Sequence, residues 1–212
     1  MSGADPRVRA VLKLAPVIPV FTPEDIDDAV QVAQALFNGG LPVIEVTLRT
    51  PAAMAAIEAM VQAVPEAVIG AGTVLTAAQM EQLKHAGGRF AVSPGATDRL
   101  YAAARDTDMA FLPGVATSSE LMRGLEQGLD TFKFFPAVQA GGAAMLSAWN
   151  GPFGEVRFCP TGGISAQTAR QFLHLPNVLC VGGSWLTTRE RVQARDWAGI
   201  EQLAREAATL AG

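Results

Sequence analysis

The stretch VRFCPTGGISAQTARQFLHLPNVLCVGGSW, residues 156–185, carries the pattern that decides the fold. A β-branched and aromatic run (156–163) ends in Gly162 and Gly163, an amphipathic segment follows, and a second run (178–185) closes on Gly182, Gly183 and Ser184. The intervening segment is too long for a hairpin turn. It is long enough for a loop and a helix of a few turns, the connection that parallel strands require.

Outward from this unit the pattern recurs. Similar runs lie at 16–21 (PVIPVF), 43–48 (VIEVTL), 68–74 (VIGAGTV), 90–95 (FAVSPG), 110–116 (AFLPGVA) and 132–136 (FKFFP), with starts about 20 to 27 residues apart. Between them, capping-box spacing predicts helix starts at Thr22 to Asp25, Thr76 to Gln79 and Thr117 to Glu120, and Pro51 after Thr50 marks a first helical position. Gly39 with Gly40 and Gly87 with Gly88 read as helix stops. In the first long helix Ile26, Ala29, Val30, Ala33, Leu36 and Phe37 share one face. Eight such units predict an α/β fold: a single closed (β/α)8 TIM barrel over residues 1–212, with an N-terminal helix within 1–15. An open doubly wound sheet is the alternative.

Composition narrows the function. A chain of 212 residues that is 50% hydrophobic can bury one substantial core. A net charge of −4 without any basic run argues against nucleic acid or an anionic membrane surface as partner, so a small molecule is expected. No apolar stretch is long enough to span a bilayer, and MSGADPRVRAVLKLAP carries charges where a leader would be apolar, so a cytoplasmic location is expected. Cys159 and Cys180 sit inside apolar runs and read as buried small hydrophobes, not as a disulfide or metal ligands. His85 and His174 have no neighbour at ligand spacing. Neither a metal nor another cofactor is expected.

In a parallel barrel, chemistry gathers where the strands end and the βα loops begin. Side-chain alternation puts Glu45, Thr47 and Arg49 on one face of the second strand, and Thr131, Lys133 and Phe135 on one face of the sixth. Those faces point inward; Phe132 and Phe134 belong to the core. An ammonium enclosed by apolar surface has its pKa lowered, by up to ~3–5 units when burial is complete, which makes the amine a nucleophile near neutral pH. The other lysines, Lys13 and Lys84, lie in the N-terminal segment and on a polar helix. A second reading makes Lys133 only the ion-pair partner of Glu45, for which Arg49 and Arg157 are the other candidates. The glycine pairs after the last two strands let backbone N–H groups approach an anion, and Ser184 adds a hydroxyl. Pro94 and Pro113 end the fourth and fifth strands and shape the rim. Together these residues suit carbonyl chemistry on a phosphorylated substrate.

The motifs PVIPV, VIEVTLRT, GAGTV, SPG, FKFFPA, GPF, VRFCPTGGI and GGSWL, in this order over nearly the whole chain, resemble those of the 2-keto-3-deoxy-6-phosphogluconate (KDPG) aldolases. These are class I aldolases of the Entner–Doudoroff pathway, with members that also act on 4-hydroxy-2-oxoglutarate. The resemblance implies that Lys133 forms a Schiff base with the keto carbon and that Glu45 is the general acid and base, acting through water. It assigns Arg49 and Thr73 to the pyruvyl carboxylate and Phe135 to its flank. Thr161 would lie beside the aldehyde portion, and Gly162, Gly163 and Ser184 would bind the phosphate. Cleavage to pyruvate and glyceraldehyde 3-phosphate and a homotrimeric assembly follow from the same resemblance. One departure is visible: no arginine occurs between Arg9 and Arg49, so backbone donors are expected to carry more of the phosphate binding. The rival readings are an aldolase for another 2-keto acid such as the galactonate-derived epimer, a phosphosugar isomerase or epimerase with Glu45 as base, and a non-catalytic barrel that binds phosphorylated metabolites.

Overall fold

The computed structural model describes residues 6–210; the part of the expected N-terminal helix in residues 1–5 lies outside the described residues. Its strands are β1 (Val17–Phe21), β2 (Val43–Thr47), β3 (Val68–Gly72), β4 (Phe90–Val92), β5 (Ala110–Leu112), β6 (Gly114–Val115), β7 (Thr131–Phe134), β8 (Arg157–Pro160) and β9 (Val181–Gly183). The helices are α1 (Pro6–Leu12), α2 (Ile26–Asn38), α3 (Ala53–Ala63), α4 (Ala77–His85), α5 (Asp98–Asp106), α6 (Ser118–Glu126), α7 (Gly142–Trp149), α8 (Ala166–Leu173), α9 (Arg189–Gln193) and α10 (Trp197–Ala208). Each sequence run contains strand. The fifth contains two, because Pro113 brings no N–H to a ladder. Its carbonyl still accepts from the Lys133 backbone N–H at 2.9 Å. The interruption also changes partners, since β5 pairs with β4 and β6 with β7.

Strand pairing is parallel throughout. A curled six-stranded sheet runs β5-β4-β3-β2-β1-β9 and a three-stranded sheet β6-β7-β8. Isolated parallel bridges from Phe158 to Val178 and from Thr161 to Gly182 connect β8 with the chain at β9. The result is a TIM-like α/β fold.

The helix signals mostly hold, with two displacements. Thr76 with Gln79 and Thr117 with Glu120 form the expected capping boxes. Thr22 does not cap: α2 starts three residues after the expected first helical residue, with Asp25 accepting from the Asp28 N–H, and the Thr22 hydroxyl bonds to Thr47 instead. Pro51 likewise lies in the turn before α3, while the Thr50 hydroxyl donates to the Pro23 carbonyl. Because α2 is wedged between α3 and α10, its buried stripe is wider than one helical face. Val32 and Ala35 join Ala29, Ala33 and Leu36, whereas Ile26, in the first turn, is exposed.

Two cores result. The outer one lies between strands and helices and takes Phe132, Phe134 and Phe158 with residues such as Leu36, Ile57 and Met60. The inner one fills the space enclosed by the strands with Ile18, Val43, Phe90, Val92, Ala110, Leu112, Cys159 and Cys180. Val8 and Leu12 of α1 belong to this inner cluster, so α1 closes the end at which the strands begin. It is tied there by Arg9, whose guanidinium pairs with Asp130 at 2.7 Å and donates to the Glu155 carbonyl. Both thiols are free and buried. Burial pushes the Cys180 thiol well up, and its hydrogen bond with Cys159 pushes it further, so it stays protonated and inert. Among the described residues no helix is long and apolar enough to cross a membrane, and no group of three or more His, Cys, Asp or Glu side chains is arranged to hold a metal.

Candidate active site

Glu45 on β2 and Lys133 on β7 come from strands on opposite sides of the enclosed space. Their side chains meet across it: Lys133 Nζ lies 2.9 Å from Glu45 Oε1, and the residues are only 5% and 3% exposed. Backbone spacing makes this meeting possible. A Cβ at Gly72, which pairs with Thr47 on the neighbouring strand, would overlap the Glu45 carboxylate, so only glycine leaves it room. A buried pair of this kind is held by its mutual attraction against the cost of desolvating both groups.

The placing of Phe132 and Phe134 in the core holds, whereas the expectation of a purely apolar enclosure for the ammonium is corrected. Phe132 and Phe134 turn to the outer core, where the Phe132 ring occupies the space above Gly124 and Phe134 meets Trp149 edge-on at 5.4 Å. Phe135 alone is near the amine, its ring centre 5.2 Å from Nζ. The immediate neighbour of the ammonium is a carboxylate.

Farther along the same strands a cavity of about 150 Å³ opens. Its wall includes Val20, the Cα partner of Glu45, and Phe135, two residues beyond Lys133, so the ion pair forms the layer directly beneath it. On the β2 side stands Arg49, whose Nε donates to the Thr73 hydroxyl at 3.3 Å. Thr73 holds φ at +59°, a left-handed conformation that a β-branched residue rarely adopts, and its hydroxyl is the one that fixes Arg49. On the β8 and β9 side lie Thr161, Gly162, Gly163 and Ser184. Gly162 and Gly163 have φ of +105° and +74°, a conformation that glycine adopts without strain, and both line the cavity with no side chain. At Gly182 any Cβ would overlap the Thr161 hydroxyl, so the two strand ends are in close contact.

The cavity thus has a cation at the end of β2, a glycine-lined wall at the ends of β8 and β9, and a buried amine and carboxylate below. The family profile described as KDPG and KHG aldolase matches residues 8–203. The chain belongs to this family. The KHG/KDPG aldolase of Escherichia coli (strain K12) is 49% identical over 198 residues, 93% of each chain. Among solved structures, the KDPG aldolase of Legionella pneumophila, with pyruvate captured at low pH as a covalent carbinolamine intermediate, superposes with a TM-score of 0.93 at 46% identity, covering 97% of this chain and 99% of the other. The 2-keto-3-deoxy-6-phosphogluconate aldolase of Zymomonas mobilis ZM4 with 3-phosphoglycerate also gives 0.93, at 49% identity over 98% and 97% of the two chains.

Within this aldolase the structure brings together most of the residues singled out from sequence. Arg49, Phe135, Thr161, Gly162, Gly163 and Ser184 line one cavity. Glu45 and Lys133 lie beneath it, and Thr73 reaches it through Arg49. Pro94 does not line it: the proline is exposed at the end of β4, with its carbonyl packed against Gly114. Sequence reasoning missed Val20 and Thr22. The alternation that placed Glu45 and Lys133 would also have placed Val20 facing inward at the end of β1, but Thr22 had been read as a helix cap.

Proposed function

We propose that this aldolase reversibly cleaves KDPG to pyruvate and glyceraldehyde 3-phosphate through a Schiff base on Lys133, inside a closed ring of eight βα units. The observation that carries the reading is the buried Lys133–Glu45 pair at 2.9 Å beneath a cavity with Arg49 on one wall and the Gly162, Gly163 and Ser184 wall across from it. Ring closure is supported by the continuity of β5 and β6 across Pro113 and by the bridges that connect β8 to β9.

The chemistry follows from the geometry. Transfer of a proton from Nζ to Glu45 leaves a neutral amine, which attacks the keto carbon while the substrate carboxylate is held by Arg49 and oriented beside Phe135. Glu45 returns that proton to the carbinolamine hydroxyl, which leaves as water to give a protonated imine, the stage before which pyruvate was captured on the Legionella relative. With the imine as electron sink, Glu45 takes the C4-hydroxyl proton through a water molecule and the C3–C4 bond breaks, leaving an enamine and the aldehyde. Thr161 lies beside the departing aldehyde, and its phosphate rests on Gly162, Gly163 and Ser184. Protonation of the enamine at C3 and hydrolysis of the imine release pyruvate. The phosphorylated three-carbon acid bound by the Zymomonas relative supports a phosphorylated substrate, and the name of the Escherichia coli relative supports a second activity on 4-hydroxy-2-oxoglutarate. A cytoplasmic homotrimer is part of the same proposal, and sedimentation equilibrium of the purified protein tests the assembly.

The direct test is reduction with borohydride in the presence of pyruvate, followed by mass spectrometry. A pyruvyl-derived adduct on Lys133 is expected. An unmodified protein that still converts its substrate would point to isomerase chemistry with Glu45 as base. The phosphate wall has its own test in Ser184→Ala. Loss of a hydrogen bond to a charged group, worth roughly 1.5–3 kcal/mol, should lower cleavage of the phosphorylated substrate about ten- to a hundredfold. Exchange of pyruvate methyl protons, which needs no phosphate, should hold near the wild-type rate. Equal losses in both would show that Ser184 supports the pocket as a whole.

A further inference from the structure

We infer that Thr22 is a specificity-determining residue that recognises the hydroxyl on the substrate carbon next to the phosphate-bearing one, and so favours the phosphorylated sugar acid over 4-hydroxy-2-oxoglutarate. The inference rests on the proposed cleavage reaction and deepens it.

Position is the first argument. Around the sheet the order is β2-β1-β9, so the residue that follows β1 stands between Arg49 at the end of β2 and Ser184 at the end of β9. Thr22 occupies that place and lines the cavity. With Val20 and Ser184 it also borders an adjoining cavity of about 380 Å³. A six-carbon chain with its carboxylate at Arg49 and its phosphate at Ser184 therefore passes Thr22 with its middle carbons. It carries hydroxyls at C4 and C5. The C4 hydroxyl gives its proton to Glu45 during cleavage, which leaves the C5 hydroxyl for the side wall.

Hydrogen-bond capacity is the second argument. The Thr22 hydroxyl lies 2.7 Å from that of Thr47, which is 1% exposed and is the next inward residue after Glu45. This bond fixes the Thr22 side chain without exhausting it. A hydroxyl has one proton and two lone pairs, so whichever threonine donates, Thr22 keeps capacity for two more partners, at least one of them as an acceptor. Its remaining capacity is on the cavity side, because Thr47 already occupies the buried side. The five-carbon acid has a carboxylate carbon where the six-carbon substrate has its C5 hydroxyl. Only the longer substrate offers a proton there for Thr22 to accept, because a carboxylate has none to donate.

The experiment compares kcat/KM for KDPG and for 4-hydroxy-2-oxoglutarate in wild type, Thr22→Val, Thr22→Ser and Thr47→Val. Because both substrates are assayed on one preparation, the ratio is independent of the fraction of folded enzyme. Loss of a neutral hydrogen bond predicts that Thr22→Val lowers the KDPG to 4-hydroxy-2-oxoglutarate ratio about three- to tenfold. Thr22→Ser should keep most of the ratio, and Thr47→Val, which removes the bond that fixes Thr22 but leaves its hydroxyl in the cavity wall, should lower it clearly less than Thr22→Val does. A ratio unchanged in Thr22→Val overturns the inference, as does an equal fall in Thr47→Val, which would reduce Thr22 to a structural partner of Thr47. Wild-type enzyme that binds pyruvate covalently but fails to cleave KDPG would instead overturn the underlying function.

Discussion

Replacing Lys133 by arginine is expected to abolish both turnover and covalent capture of pyruvate, with cleavage falling ~10⁴-fold or more, the scale on which loss of a nucleophile registers. The substitution keeps a positive charge beside Glu45 and so largely separates charge from reactivity. A guanidinium remains protonated and cannot form an imine. If the pair served only to hold β2 and β7 together across the enclosed space, arginine would preserve much of that role and leave activity measurable. The readouts are steady-state cleavage of KDPG, the borohydride adduct with pyruvate, and thermal unfolding by circular dichroism. Adduct formation that persists in the variant would relocate the nucleophile. A folded variant with no adduct and no turnover is the expected result.

The second large effect separates the carboxylate from the amine. In Glu45→Gln the side chain keeps its shape in the space left by Gly72 but can no longer accept a proton. Loss of general acid and base catalysis predicts a fall of roughly 10²–10⁴-fold in cleavage and in pyruvate proton exchange. Some imine should still form, because water can remove the Nζ proton at a lower rate, so the reductive adduct should appear slowly while turnover stays low. This divergence between capture and turnover is the signature of a proton-transfer group. Parallel loss of both would assign Glu45 mainly to activating the amine. Near-normal exchange would leave it only as the counter-charge of Lys133. Urea unfolding of the variant is needed alongside, since removing one member of a buried ion pair destabilises a fold by about 3–5 kcal/mol when nothing replaces the lost charge.

How much of this was legible in the sequence depends on which interaction each residue serves. The strands were legible because their β-branched runs recur between helix caps and glycine stops, and the side chains of Glu45 and Lys133 because alternation along a strand is local geometry. Their pairing was legible as the second reading of Lys133, but its 2.9 Å geometry was not, since it joins residues 88 positions apart and depends on the curl of the sheet and on the missing side chain of Gly72. The split at Pro113 was half visible. The proline marked a strand end, but the change of partner from β4 to β7 belongs to the tertiary arrangement. Thr22 was misread for a physical reason: a threonine followed three residues later by an acid satisfies the capping-box spacing, and what diverts it is a buried hydroxyl on another strand. Pro94 lies at the end of β4 as the sequence placed it, and a strand-end position is local geometry, whereas which residues line the cavity depends on how the loops meet.

The plug that α1 makes has a kinetic consequence. With Val8 and Leu12 filling one end of the inner core and Arg9 pinned to Asp130, the cavity among the described residues opens at the other end, where the strands finish. Both products must leave through it, one after the other. In the proposed cleavage the aldehyde would occupy the outer position beside Gly162, Gly163 and Ser184, which line the cavity, and pyruvate would be bonded to Lys133 in the layer beneath. Release is therefore ordered, aldehyde first and pyruvate last. In the direction of synthesis the sequence reverses: pyruvate must be loaded before the aldehyde, and excess aldehyde acts as a stopper in the doorway, inhibiting condensation competitively with pyruvate.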